Sequence, residues 1–332
     1  MMKICIVGAG AIGGLLGANL ARAGHEVSLV ARGAHLSAIR ARGLELRSGG
    51  ERLTVSVKAS DSVTDLPQQD AIFIALKANS IGEMLPRLAP LIGPETLVVP
   101  AINGIPWWYF FKEGGRFDGE PVACIDPDGH LMRSVDCGRI LGCVVYAAAE
   151  VIEPGVIEHS AGQRFVLGEP DGSRSERAQR LAAALRASGL DAPLSDRIRD
   201  EVWTKLIGNL AFNPICALTA SRMDEAVANP EIAALMRCVM NEGIRVGEGY
   251  GVRFQVTADQ RLQMTAQRIG SAKVSMLQDL ERGRPIESEA IIGAVCELGR
   301  RAGIPTPVTD IVYTLISQRG KTRSTMPDGN RL

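Results

Sequence analysis

Short apolar runs alternate with longer, helically spaced segments through the first half of the chain. Runs rich in β-branched residues predict strands at 3–7, 27–31, 70–76 and 97–100. Between them, apolar residues recurring every three or four positions predict helices at 11–23, 34–42 and 80–91. Strands that alternate with helices imply a parallel, doubly wound sheet. More closely spaced strands follow at 122–125, 140–149, 155–159 and 164–167, expected as antiparallel additions to that sheet, and then an amphipathic helix at 175–188.

Beyond about residue 194 the strand signal disappears. Long helical patterns cover 196–218, 230–250, 257–282, 287–302 and 309–319, punctuated by GYG at 249–251, GRP at 283–285 and GIPTP at 303–307. At 332 residues the chain is long for one core. We expect two domains, an α/β domain over 1–195 and an all-helical domain over 196–332. The polar tail from 321 is expected to be poorly ordered.

Composition narrows the function classes. Lys+Arg and Asp+Glu are equal at 37 each, so no net field favours nucleic acid or an anionic membrane. The longest uncharged stretches are too short for a membrane span and carry Pro or Asn inside. The start, MMKICIVGAGAIGG, does not read as a cleavable signal. Seven cysteines, at 5, 124, 137, 143, 216, 238 and 296, form no CxxC pair. That pattern indicates neither a zinc site nor a disulfide framework. A cytoplasmic chain with no bound metal is expected.

Gly8-Ala9-Gly10-Ala11-Ile12-Gly13 is a G-x-G-x-x-G placed between an apolar strand and an Ala/Leu-rich helix. That context suits a dinucleotide site. Gly8 permits the tight turn, Gly10 lets a pyrophosphate approach the backbone, and Gly13 lets helix and strand pack closely. The second strand ends in Val30-Ala31-Arg32, with no carboxylate for a ribose 2′-hydroxyl. A guanidinium suits a 2′-phosphate, so NADP(H) is expected over NAD(H). A solvated surface arginine is the plainer alternative, but a position about twenty residues past the last loop glycine favours the cofactor reading of Arg32.

Ligands of open parallel sheets bind beyond the carboxyl ends of the strands. Lys77, closing AIFIALK, and Asn103, in VVPAINGIP, fall there and together suit a nicotinamide pocket. Taken singly, Lys77 reads better as a solvated strand cap and Asn103 as a turn residue. In the helical half, Lys205, Asn209 and Asn213 recur at i, i+4 and i+8 within an apolar helix, on one face. Such a stripe is costly unless it meets partners or lines a cavity. It is either a site wall or a polar seam between helices. The aromatic run from Trp107 to Phe111 is read as core packing, or as a feature reshaping the pocket.

These segments resemble ketopantoate reductases, a family with a Rossmann-type domain and an all-helical C-terminal domain of the 6-phosphogluconate-dehydrogenase kind. The resemblance is carried by GAGAIG at 8–13, Arg32, LKAN at 76–79, ING at 102–104, WTKLIGNLAFNP at 203–214, SMLQD at 275–279 and GRPIE at 283–287. It implies NADPH-dependent reduction of a small 2-oxo acid, 2-dehydropantoate, to (R)-pantoate in pantothenate and coenzyme A synthesis. It implies Lys205 as general acid, with Asn209, Asn213 and Ser275 as substrate-binding groups. Glu287 resembles the carboxylate that engages the substrate hydroxyl, and Asn103 and Lys77 resemble residues lining the cofactor–substrate junction. The resemblance is compatible with a homodimer. Two departures stand out. Ala272 occupies the place of an asparagine present in some members, and ICALTASRMDEA after Pro214 lacks a further pocket asparagine. A paralogous reductase of another branched 2-oxo acid therefore stays open, and behind it a non-catalytic NADPH sensor.

Overall fold

In the computed structural model, which describes residues 1–268 and 273–324, the first apolar run forms strand β1 (Lys3–Val7). Helix α1 (Ala11–Arg22), strand β2 (Glu26–Val30) and helix α2 (Gly33–Arg42) follow, within a residue or two of the expected bounds. A hairpin that the pattern did not predict comes next, β3 (Leu44–Ser48) and β4 (Glu51–Val55), then the short β5 (Lys58–Ser60). β6 (Gln69–Ile74) and β7 (Ile92–Pro100) complete a parallel sheet of order β5-β2-β1-β6-β7. Its inner strands are buried on both faces, which is why they read as continuous apolar runs.

The expected helix at 80–91 is instead a four-residue α3 (Ile81–Met84) running into a 3-10 segment, Leu85–Leu91. Pro86 and Pro90 each remove a backbone donor there. After α4 (His130–Ser134), β8 (Gly142–Glu153) and β9 (Val156–Gly168) form a long antiparallel hairpin. The two runs expected at 155–159 and 164–167 are this one strand. The hairpin does not extend the first sheet. It joins β3 and β4 in a second sheet of order β4-β3-β9-β8, in which β3 pairs in parallel with β9. The expected strand at 122–125 is a turn, with the Asp126 amide donating to the Val122 carbonyl at 2.8 Å.

Helix α1 packs against β1 and β2 and also against β3, β8 and β9. It is therefore apolar all round and rich in glycine. A Cβ on Gly14 would stand 2.6 Å from the Ile157 side chain of β9. The residues from Trp107 to Phe110 are fully buried core, with Tyr109 and Phe110 edge to face at 4.9 Å. α5 (Glu176–Ala187) is capped by the Ser175 hydroxyl, which accepts from the Ala178 amide.

The remaining elements are helical: α6 (Ile198–Thr219), α7 (Met223–Ala228), α8 (Pro230–Gly249), α9 (Ala258–Arg268) and α10 (Ser275–Glu281). A π turn, Glu289–Gly293, leads into α11 (Ala294–Ala302), and α12 (Pro307–Ser324) follows. The helix expected over 257–282 is thus two helices, and α12 carries the chain past the expected start of the tail at 321. Glu242, 4% exposed on α8, caps α12: its carboxylate accepts from the Val308 and Thr309 amides and from the Thr309 hydroxyl, at 3.1, 2.8 and 2.7 Å.

Two units result. One comprises Met1–Ile102, Trp107–Pro121 and Gly129–Ile198, and the other Asn103–Pro106, Val122–Asp128 and the chain from Arg199. The helical unit thus contains two segments that precede residue 196 in sequence.

Candidate active site

In the first unit the glycine loop joins β1 to α1. Gly8 has φ +102, and a Cβ there would meet the Ala75 carbonyl oxygen at 2.7 Å. Gly13 passes so close to the Gly8 carbonyl that no side chain fits. Gly10 differs, because nothing lies within 4 Å of where its Cβ would be. Its glycine is not required by any protein neighbour, which leaves the space above it open for a ligand. Gly10 is also the N-cap of α1 with no side chain capping the helix, so the first-turn amides around Ala11 and Ile12 face that space. This cradle fits a pyrophosphate. Arg32 is exposed at the N-cap of α2, directly past the end of β2.

A residue with no sequence signal secures this loop. His35 Nε2 lies 2.7 Å from the Ala9 carbonyl oxygen, and the Gly155 amide donates to His35 Nδ1 at 3.0 Å. An amide only donates and a carbonyl only accepts, so the ring must be neutral with its proton on Nε2. Burial pushes the His35 pKa below its ordinary value, in keeping with that state, while the bond to the Ala9 carbonyl opposes the shift. Lys77 follows β6, with its ammonium nitrogen buried.

In the helical unit, Lys205 on α6 donates to Asn103 Oδ1 at 2.6 Å. The loop carrying Asn103 is strapped to the π turn: Ile105 donates to the Ala290 carbonyl at 2.8 Å, and Gly104, at φ +84, approaches that carbonyl too closely for any Cβ. A second strap holds Ala123 and Cys124, whose amides donate to the Glu297 carboxylate at 2.8 and 2.7 Å. Burial raises the Glu297 carboxyl pKa, but these two bonds and Arg301 outweigh it and hold the group below its usual range.

Asn209 is half-buried and Asn213 buried, along the same α6 face as Lys205. Ser275 is exposed in the first turn of α10, and Glu287 is half-buried just before the π turn. Ala272 lies outside the described residues. Among the described residues no cluster of His, Cys, Asp and Glu could hold a metal ion, and no helix is long and apolar enough to cross a membrane. All seven cysteines are free thiols.

A glycine loop that fits a pyrophosphate on a parallel sheet, and a lysine–asparagine pair on a helical unit, are the features expected of a nicotinamide-dependent oxidoreductase. Comparison with known proteins narrows this class. The family described as "Ketopantoate reductase PanE/ApbA" matches residues 4–107, and "Ketopantoate reductase PanE/ApbA C terminal" matches residues 197–320. The chain belongs to the ketopantoate reductase family. It is 49% identical to a 2-dehydropantoate 2-reductase of Mesorhizobium japonicum, over 95% of this chain and 97% of that one. A crystal structure from Ralstonia solanacearum, described as a proposed ketopantoate reductase, superposes with a TM-score of 0.92 at 38% identity, covering 98% of this chain and 99% of that one. The 2-dehydropantoate 2-reductase of Geobacter metallireducens matches with a TM-score of 0.84 at 29% identity, over 95% and 99%.

Proposed function

We propose that this chain reduces 2-dehydropantoate to (R)-pantoate with NADPH. The observation that carries the reading is the Lys205–Asn103 pair, a cation held in fixed direction on the helical unit of a family reductase. When bound, NADPH supplies the hydride. The chain's own part is to orient the substrate and to supply the proton, which Lys205 Nζ gives to the ketone oxygen as the carbonyl carbon is reduced. Asn103 holds that ammonium in line.

The loop Gly8–Gly13 cradles the pyrophosphate and Arg32 takes the 2′-phosphate, while Lys77 and Asn103 line the nicotinamide end. Asn209, Asn213 and Ser275 bind the substrate, and Glu287 accepts from its hydroxyl. The first unit then serves the cofactor, and the helical unit, apart from Asn103, serves the substrate. Assembly as a homodimer accompanies this reading and is checked by light scattering. The test of function is the loss of NADPH absorbance with a panel of 2-oxo acids. Fast oxidation with 2-dehydropantoate is expected. Equal turnover of 2-oxoisovalerate would instead favour a reductase of another branched 2-oxo acid, and no turnover with any of them would favour a sensor.

A further inference from the structure

Gly208 stands in the middle of α6, three residues after Lys205 and immediately before Asn209. A Cβ there would lie 2.6 Å from Arg261 Nη2, 2.8 Å from Nε and 3.1 Å from Cζ. Three guanidinium atoms of Arg261, which projects from α9, therefore occupy the space that a Gly208 side chain would fill. A glycine in a helix interior is unfavourable, and so is drawing a guanidinium into the partly buried flank of a helix. Both occur at this one place, and each makes sense of the other: the missing side chain is the notch that admits the cation. Residues three apart on a helix are surface neighbours, with Cβ atoms about 5–6 Å apart. The notch is thus beside Lys205, on the flank of α6 where Glu201, Thr204, Lys205 and Asn209 are all half-buried.

We propose that Arg261 is the carboxylate-recognition residue for the 2-oxo acid, and that Gly208 sets its position. The proposal rests on the functional reading above, in which the ketone oxygen lies at Lys205. In a 2-oxo acid the carboxylate is bonded directly to the ketone carbon, so its counter-charge must sit close beside the proton donor. A guanidinium offers two parallel N–H donors that match the two carboxylate oxygens and fix the plane of the acid. None of the other substrate-binding residues assigned above is a guanidinium. Lys205 is directed at the ketone, and the remainder are neutral amides, a hydroxyl and the Glu287 carboxylate, which would repel an anion.

Steady-state kinetics on Arg261→Gln, Gly208→Ala and the double variant test this, with 2-dehydropantoate and its primary amide as paired substrates. Arg261→Gln should raise KM for the acid by about tenfold or more, the worth of one charge-assisted contact. It should change kcat little and leave NADPH binding, followed by titration, as in wild type. Wild type should prefer acid over amide, and Arg261→Gln should abolish that preference. Gly208→Ala keeps the guanidinium but pushes it out of the notch, so it should raise KM for the acid too and add nothing in the Arg261→Gln background. A wild-type acid-to-amide preference retained by Arg261→Gln, whatever its thermal stability, would overturn the proposal. Failure of wild type on 2-dehydropantoate would overturn the functional reading instead, and the acid-to-amide ratio would then decide Arg261 on whichever 2-oxo acid is turned over.

Discussion

Lys205 and Asn103 stand 102 positions apart in sequence, and their side chains meet at 2.6 Å. A lysine on its long stem has many rotamers, and one short bond to an amide oxygen selects among them. Replacing Lys205 by Ala is expected to reduce kcat by about 10²–10⁴-fold, the span for loss of a proton-transfer group. Asn103→Ala leaves the ammonium in place but removes this bond. Its kcat should fall by about tenfold, as expected for one hydrogen bond to a charged group. Single-turnover measurements with saturating NADPH check both, and a wild-type rate in Lys205→Ala would remove it from the chemistry.

Arg32 bears on cofactor choice. Arg32→Ala should weaken NADPH binding by about tenfold or more, the worth of one charge-assisted contact, and leave NADH binding nearly unchanged. Fluorescence titration of both cofactors gives the answer, and equal losses would contradict the assignment.

His35 ties the cofactor loop to the turn between β8 and β9, and it does so only as the neutral ring. Its pKa lies below the ordinary 6.5 because of burial. As pH falls below that value, the unfolded chain takes up the proton before the folded one does, so folding weakens. The stabilisation is therefore complete above about pH 6.5 and is lost as pH drops towards the lowered folded value. A protonated ring also cannot accept from Gly155, so NADPH affinity should decline over the same range. His35→Ala should bind NADPH more weakly at neutral pH and lose this acid-side dependence. A His35→Ala profile that parallels wild type would count against the role.

Glu287 concerns the substrate. A half-buried acceptor left without its hydroxyl partner penalises analogues that lack it. The protein should prefer 2-dehydropantoate over 2-oxoisovalerate by a large factor in kcat/KM, and Glu287→Ala should shrink that factor. An unchanged ratio in the variant would mean that Glu287 does not read the hydroxyl.

Glu242 is a stability element away from the chemistry. Glu242→Ala strips three bonds from the start of α12 and leaves buried donors unsatisfied. It should cost about 1–3 kcal/mol in denaturant unfolding, with kcat per folded molecule unchanged. A loss within a few tenths of a kcal/mol would show that water replaces the carboxylate.

The sequence carries the parallel strands to within a few residues, except β5 and the early part of β7, because burial on both faces leaves them uniformly apolar. It hides β3 and β4, whose charged residues alternate with Leu and Val on a half-exposed surface. The Gly49-Gly50 pair between them, both at positive φ, was the available hairpin signal. Lys205, Asn209 and Asn213 could be singled out by their spacing along a single helix. His35 could not, since its two contacts reach across 26 and 120 residues and a lone histidine has no periodicity. Gly208 and Arg261 are opaque for the same reason, being neighbours only once α6 and α9 have packed.

The straps at Asn103–Pro106 and Val122–Asp128 bear on how such a chain can be inherited. A recombination event at residue 195, the apparent seam in the sequence, would carry the helices away without them. The Glu297 carboxylate would lose the Ala123 and Cys124 amides, the Ala290 carbonyl would lose Ile105, and Lys205 would lose Asn103. The two halves are therefore not interchangeable modules. A chimera of two relatives would have to exchange the short straps together with the helices that grip them, and selection should keep the distant segments paired.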